Sequence, residues 1–442
     1  MRLLARASLL LGLLAGCPST DVIARLEERD GGAAEDAAAM DANAPDGGFC
    51  AGEGPLVLVG DGPRTRCGGS VAETTFRYAI CTCDGLALST PVETDAFDSR
   101  VGPWAPGEGG GSVGTNGALD IAARASIDGS LIGAERCHFS VEGGVTGTLR
   151  SGGELGGGAP VAVGKDAYVA GDVRLSALDV GGVLTLPAEA TLDVPALSTG
   201  ETRRAPVSVT APCDCAEERL LDVGALVAAH EEANDDAALG IDPDDYANGG
   251  ARTLELDCGK VWLSRIGGEA LTIVARGRVA LFVGGDLALE GPLEVRTEGE
   301  GEIDLFVAGN VVGAARWMLG DPAAPARVRL YVGGSGTVDL AGGGLFAGNV
   351  YAPRAELVTP SEVEVFGSLF VRRLVSSGGL RVHYDRAVLD AGDDCAPSAT
   401  CTSCLDCGNQ ACVDGTCGLC RSDADCCSPL VCAGGVCVPE PF

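Results

Sequence analysis

Lysine is almost missing from this chain of 442 residues. Lys165 and Lys260 are the only two, and the other basic residues are arginine. Acidic residues number 62 against 31 basic ones, a formal charge of −31. No segment gathers the arginines into a basic stripe, so nucleic acid and anionic lipid headgroups are poor partners that would be repelled. Divalent cations or basic partners fit the charge, and solubility alone accounts for it.

Histidine is nearly as scarce. His138 adjoins Cys137, His230 sits in a helical pattern and His383 in a closing strand pattern. No two are spaced as metal ligands, and packing or capping is expected of each. Strings that mimic catalytic motifs lack their context. Gly110-Gly111-Ser112-Val113-Gly114 spells a nucleophile elbow, and Gly109 to Gly114 a dinucleotide fingerprint, but both lie in a glycine run with no helix after it. Gly164-Lys165 is followed by Asp166, not the hydroxyl residue of a phosphate loop. The acids of 234–236 and 242–245 lack EF-hand spacing. Asp304, Asp339, Glu294 and Glu364 read as the wet side of alternating strands. No catalytic residue, cofactor or metal site is therefore expected.

No later segment approaches 18 uninterrupted apolar residues, so a spanning helix is not expected after the start of the chain. Arg2 and Arg6, the apolar run 8–16 and the exit Leu14-Ala15-Gly16-Cys17 read as an export signal. Leu-Ala-Gly-Cys resembles the bacterial lipobox. That resemblance implies cleavage before Cys17, its acylation, and anchoring in the bilayer by fatty chains such as palmitate. Pro18 and Ser19 follow, with no aspartate there, which favours the outer membrane. Loss of Arg2 and Arg6 takes the charge from −31 to −33. Residues 18–48 are rich in Ala, Asp, Glu and Gly, have no apolar period, and are expected to be a disordered tether.

Twenty cysteines in an exported chain imply disulfides. With Cys17 set aside for lipid, the candidates are Cys50, Cys67, Cys81, Cys83, Cys137, Cys213, Cys215 and Cys258, then Cys395, Cys401, Cys404, Cys407, Cys412, Cys417, Cys420, Cys426, Cys427, Cys432 and Cys437. Their number is odd, so at least one is free or pairs with another chain.

Two periods organise the body. Between 161 and 192, apolar or small pairs recur at steps of five or six residues with glycines at the bends, the pattern of a short-rung β-helix. It resembles bactofilin-like, polymer-forming bacterial β-helices. Farther on, Phe282, Phe306, Tyr331, Tyr351 and Phe370 each sit between small aliphatic residues, 24, 25, 20 and 19 residues apart. Such spacing predicts larger stacked coils with the rings in one structural ladder. Both faces of these strands are apolar, so a helix or loop is expected to lie along the ladder. The segment 216–232 supplies it: Leu220, Val223, Leu226, Val227 and His230 share one helical face.

Cys213-Asp-Cys215, this helix, Ala280-Leu-Phe-Val-Gly-Gly-Asp, Gly348-Asn-Val-Tyr-Ala-Pro and His383-Tyr-Asp resemble the β-helical domain of unknown function in PilX-like and choice-of-anchor A bacterial surface proteins. The resemblance spans about 107–389. It implies an extracellular right-handed β-helix linked with adhesion or pilus function, and no catalytic residue.

Eleven cysteines within 395–437 leave almost no room for a core, so crosslinks must hold that region. It resembles Dickkopf-type or knottin-like modules. Cys401, Cys404 and Cys407 have zinc-like spacing, but export and the lack of a nearby histidine favour disulfides.

The expected fold is thus mainly β: a right-handed parallel β-helix with one amphipathic helix, a small disulfide-tied N-terminal unit and a C-terminal disulfide-rich knob. The expected order is signal 1–16, acylated Cys17 and tether 17–48, small β cap 49–106, short-rung helix 107–210, connector 211–252, larger coils 253–390 and knob 391–442. The expected role is a non-enzymatic, lipid-anchored display rod of the cell envelope, structural or adhesive, with a cysteine-rich tip. Envelope polysaccharide or another surface protein would be its partner. A polysaccharide-binding or polysaccharide-degrading β-helix and a self-assembling scaffold are the rivals.

Overall fold

A computed structural model describes residues 49–50, 57–60, 66–107, 109–313, 316–340, 344–392, 400–407 and 410–439. The signal, Cys17, the tether and Cys395 lie outside them. The described chain is mainly β, built of parallel strands stacked as in a β-solenoid.

In the short-rung half, the six-residue step is one side of a three-sided coil. Val113–Thr115 pairs not with the next strand but with Leu131–Gly133, which pairs with Leu149–Ser151, and that with Ala167–Val169. Each coil therefore takes 18 residues, and like residues align in interior columns such as Val145, Val163 and Val180. Gly157 shows why glycine marks the bends. Its φ is +120°, and a Cβ there would meet the Phe139 backbone at 2.2 Å.

The larger coils stack likewise. Gly259–Leu263, Arg278–Val283, Glu302–Val307, Val328–Val332, Asn349–Thr359 and Leu369–Ser376 form one parallel ladder. The two halves then join in an order the sequence conceals. Leu369–Ser376 pairs with Ile80–Thr82, and Leu380–Asp385 with Val92–Phe97. Those two strands in turn carry Val113–Thr115 and Ala125–Ile127. The expected N-terminal cap is thus corrected. Residues 80–97 form an internal rung, sandwiched because both of their edges complete apolar columns.

Residues 205–251 must therefore return from the last short rung to the first large one. Cys81–Cys213 and Cys83–Cys215 staple this return segment to the middle of the stack. Its helix, α2, covers only Val223–Ala229, shorter than the apolar pattern predicts. Asp222 fixes the start by accepting a hydrogen bond from Ala225 N at 2.9 Å. A helix the sequence reading missed, α1 at Gly68–Thr75, buries Val71 and Ala72 beside the same ladder. It opens on Gly68-Gly69, weak helix formers, so tertiary contact decides it.

The two ends of the stack differ. Residues 235–249 lie across two sides of the first coil: Lys260 N and Trp262 N donate to Asp235 and Asp236, and Ser264 N and Gly267 N to Pro243 O and Tyr246 O. The third side, Arg252–Leu256, pairs only with Leu271–Ala275 among the described strands. Cys50–Cys258 ties Phe49 and Cys50 to this covered end. At the other end Ala196–Arg204 pairs only with Ala177–Leu186, and no described strand lies on its far edge.

Cys137 is a correction to the disulfide candidates: it is free and buried. Its register partners are the interior residues Leu119 and Leu155, and no second sulfur among the described residues reaches it. Cys67 is disulfide-bonded. The described part of the C-terminal region includes two hairpins, Ala411–Val413 with Thr416–Gly418 and Leu430–Ala433 with Val436–Pro439. Among the described residues five disulfides hold it: 401–412, 404–427, 407–417, 420–432 and 426–437. It packs beside the middle rungs, where Arg77 donates to Ser428 O at 2.8 Å and Tyr78 Oη lies 3.0 Å from Ser428 Oγ. A cysteine-rich tip is therefore corrected to a cysteine-rich flank. The last large coil is mid-stack, and the chain leaves the solenoid there.

Candidate functional site

The ladder rings stand in strict register, with centroid separations of 5.2 Å for Phe282 and Phe306, 4.5 Å for Phe306 and Tyr331, 6.1 Å for Tyr331 and Tyr351, and 5.0 Å for Tyr351 and Phe370. All are buried. The chain just after α1 and the return segment 205–251 cover them: Phe76 packs on Tyr331, Leu221 N donates to Tyr351 Oη at 2.9 Å, and His230 stacks on Phe282 at 4.1 Å. His230 Nδ1 donates to Ala233 O at 3.0 Å, and Nε2 accepts from Gly60 N at 3.1 Å. Burial lowers its pKa, so the neutral ring is favoured. The ladder is core, not a binding face.

Beside it lies a buried charge cluster that the alternation rule misassigned. Asp304 does not face solvent. It is fully buried, bonded to Arg278 and, at 2.5 Å, to Arg329 Nε, while Arg329 also meets Glu302. Burial opposes ionisation of Asp304, but the two guanidiniums outweigh it and hold its pKa below the ordinary value. Of the other acids read as wet, Glu294 pairs with Arg296 at 2.6 Å. Asp339 is half-buried, and its Oδ1 has no partner among the described residues.

The resemblance motifs are joints of the same architecture. Asn349 Nδ2 donates to Pro325 O at 3.0 Å. Tyr384 Oη donates to Phe76 O at 2.7 Å, and Asp385 accepts from Ser99 N, Ala387 N and Ala326 N. These contacts fasten residues 76–99 onto the larger coils.

One half-open polar cluster remains on the outer face of the central rungs. His383 Nδ1 lies 2.6 Å from Asp95, and Nε2 lies 3.2 Å from Glu364. Trp104 lies over the imidazole with ring centroids 4.2 Å apart and planes tilted by 44°, and donates to both Asp95 oxygens at 3.2 Å. Phe366, His383 and Asp95 are register partners on successive rungs. Carboxylates only accept, so both contacts are hydrogen bonds at once only when the ring carries two protons. A general base needs a free nitrogen, and here Glu364 faces it. No hydroxyl or thiol bonded to His383 appears among the described residues. As it stands, the cluster is a clamp holding Trp104 to the sheet. Sequence reading placed His383 and Glu364 but missed Asp95 and Trp104, because they come together only across the junction of the halves.

The same outer face continues toward the exposed end through Glu93, Ser126, Gly144, Ala162, Asp179 and Ser198. There it forms an open groove of about 360 Å³, with Glu142, Pro160, Asp179 and Leu197 among its lining. The sulfurs of Cys401, Cys407 and Cys417, and of Cys420, Cys426 and Cys437, lie close enough for metal ligation, but all six are in disulfides.

Residues 221–391 match a family described as a domain of unknown function (DUF7305), which takes in α2 and the larger coils but less than half of the chain. No curated protein matches. No solved structure matches either.

Proposed function

We propose that this protein is a lipid-anchored, non-enzymatic display element of the bacterial envelope, held at the outer membrane by acylated Cys17. The coils are taken as right-handed, as parallel crossovers nearly always are. The observation that carries the reading is the asymmetry of the stack. The described chain begins at Phe49 and Cys50 on the covered rung, and the opposite rung is exposed. Thirteen strands deep at about 4.8 Å each, the ladder sets these rungs roughly 58 Å apart. Residues 18–48 would tether the covered end and leave the other facing outward, toward another surface protein or envelope polysaccharide. The test is Cys17→Ala: the variant should lose labelled palmitate and leave the membrane fraction after export. Retention in membranes would reject the anchor.

A polysaccharide-active role has one observation in its favour, the indole-covered His383 between Asp95 and Glu364. His383→Ala should then abolish glycan binding or cleavage across a panel. If wild type is silent on that panel, this second reading fails.

A further inference from the structure

We propose that the exposed rung is a homophilic contact, in which Ala196–Arg204 pairs antiparallel with the same strand of a second copy, head to head. The strand has nine residues, and eight of them are exposed. Its inner edge is used by Ala177–Leu186, while its outer edge offers backbone donors and acceptors that no described residue takes. Such an edge templates another strand unless it is covered.

Two features select a second copy. Glu201 and Arg203 flank Thr202, so antiparallel pairing about Thr202 sets Glu201 of each copy opposite Arg203 of the other. Charge complementarity is thus built into a two-fold axis. A head-to-head contact occupies this strand in both copies, so the association closes at two. At the far end residues 235–249 cover the sides built by Gly259–Leu263 and Ile266–Gly268.

The interior columns agree with a polar, reversible contact. Val180 gives way to Thr199, Leu184 to Thr202 and Leu186 to Arg204 in the last rung, while Leu178 keeps an apolar partner in Leu197. Arg204 bends over the core to donate to Pro187 O at 2.9 Å and Ala190 O at 2.6 Å. Thr199, Thr202 and Arg204 limit apolar stacking to Leu197 and leave the backbone edge and the charge pair to set register. Leu197 and the adjoining groove add apolar area at the margin. On a surface carrying many copies, weak contacts of this kind add through multivalency.

The proposal rests on the display reading only for where the contact forms, between facing membranes. The dimer is tested without a membrane, so failure of the anchor and failure of the contact are distinguishable. Full-length chain carrying Cys17→Ala is purified after export and followed by sedimentation velocity over a concentration series. Wild-type sequence at this strand should show a monomer–dimer equilibrium that weakens with salt. Glu201→Arg alone and Arg203→Glu alone should each weaken it roughly 100-fold, because each sets like charges opposite one another. An equimolar mixture of the two variants should dimerise again, since each then supplies the charge the other lacks. All three chains should share one thermal midpoint, because the altered residues are exposed. A wild type that stays monomeric, single variants that dimerise unchanged, a mixture that fails to recover, or species larger than dimer would each overturn the proposal.

Discussion

Phe370 and Cys81 face each other across a parallel strand pair, although 289 positions separate them in the chain. The aromatic ladder of the larger coils ends at Phe370. The disulfide Cys81–Cys213 takes over the next step of that column. The two halves of the solenoid are thus one stack, closed at its middle by the earliest strands of the body.

That closure makes the two central disulfides redundant. Cys81–Cys213 and Cys83–Cys215 each span 132 residues and close almost the same loop. In the chain-entropy picture one crosslink of that length contributes about 4 to 5 kcal/mol, and a second beside it adds little. Replacing either pair by alanine should cost about 1 kcal/mol, and replacing both about 4 kcal/mol or more, a non-additive series read by denaturant unfolding without reductant.

Phe306 has Phe282 and Tyr331 stacked on its two sides and is fully buried. Phe306→Ala should destabilise by about 3 to 5 kcal/mol through lost burial and an unfilled cavity. Phe306→Leu should cost less. Unfolding midpoints in urea check both.

Asp304 neutralises two buried arginines, so Asp304→Asn should cost about 3 to 5 kcal/mol by leaving them uncompensated. The folded pKa of Asp304 is depressed below its ordinary value of 3.8. Its contribution is therefore complete above about pH 4 and is lost as pH falls through the lower folded value. Stability measured from pH 6 to pH 2 should decline on the acid side in wild type, and less steeply in the variant.

Burial pushes the Cys137 thiol up to about 11, so almost no thiolate exists at neutral pH. The native chain should leave the Cys137 peptide unlabelled by iodoacetamide at pH 8, and denaturant should expose it to full labelling. Peptide mapping by mass spectrometry reads the difference.

Much of this architecture is legible in the residues. The recurrence of Phe282, Phe306, Tyr331, Tyr351 and Phe370 predicts stacked coils, because parallel in-register pairing repeats a side chain wherever the chain returns. The apolar stripe Val223, Leu226, Val227 predicts that something covers the ladder, because both faces of its strands are apolar. Glu364 and His383 were visible as residues, but their meeting with Asp95 and Trp104 was not. Asp304 was misread because alternation tells one strand face from the other, not whether another segment lies over it.

What the sequence determined by itself is the repeat: the six-residue step, the larger coil spacing, interior columns, glycine bends and a disulfide-dependent C-terminal region follow from local pattern, whereas the 18-residue, three-sided coil of the first half does not. Tertiary structure alone decided the order of the coils, the internal place of residues 80–97, the free state of Cys137 and the burial of Asp304. The reason is physical. A parallel strand edge is satisfied by any strand of matching columns, and periodicity does not encode which distant segment supplies it.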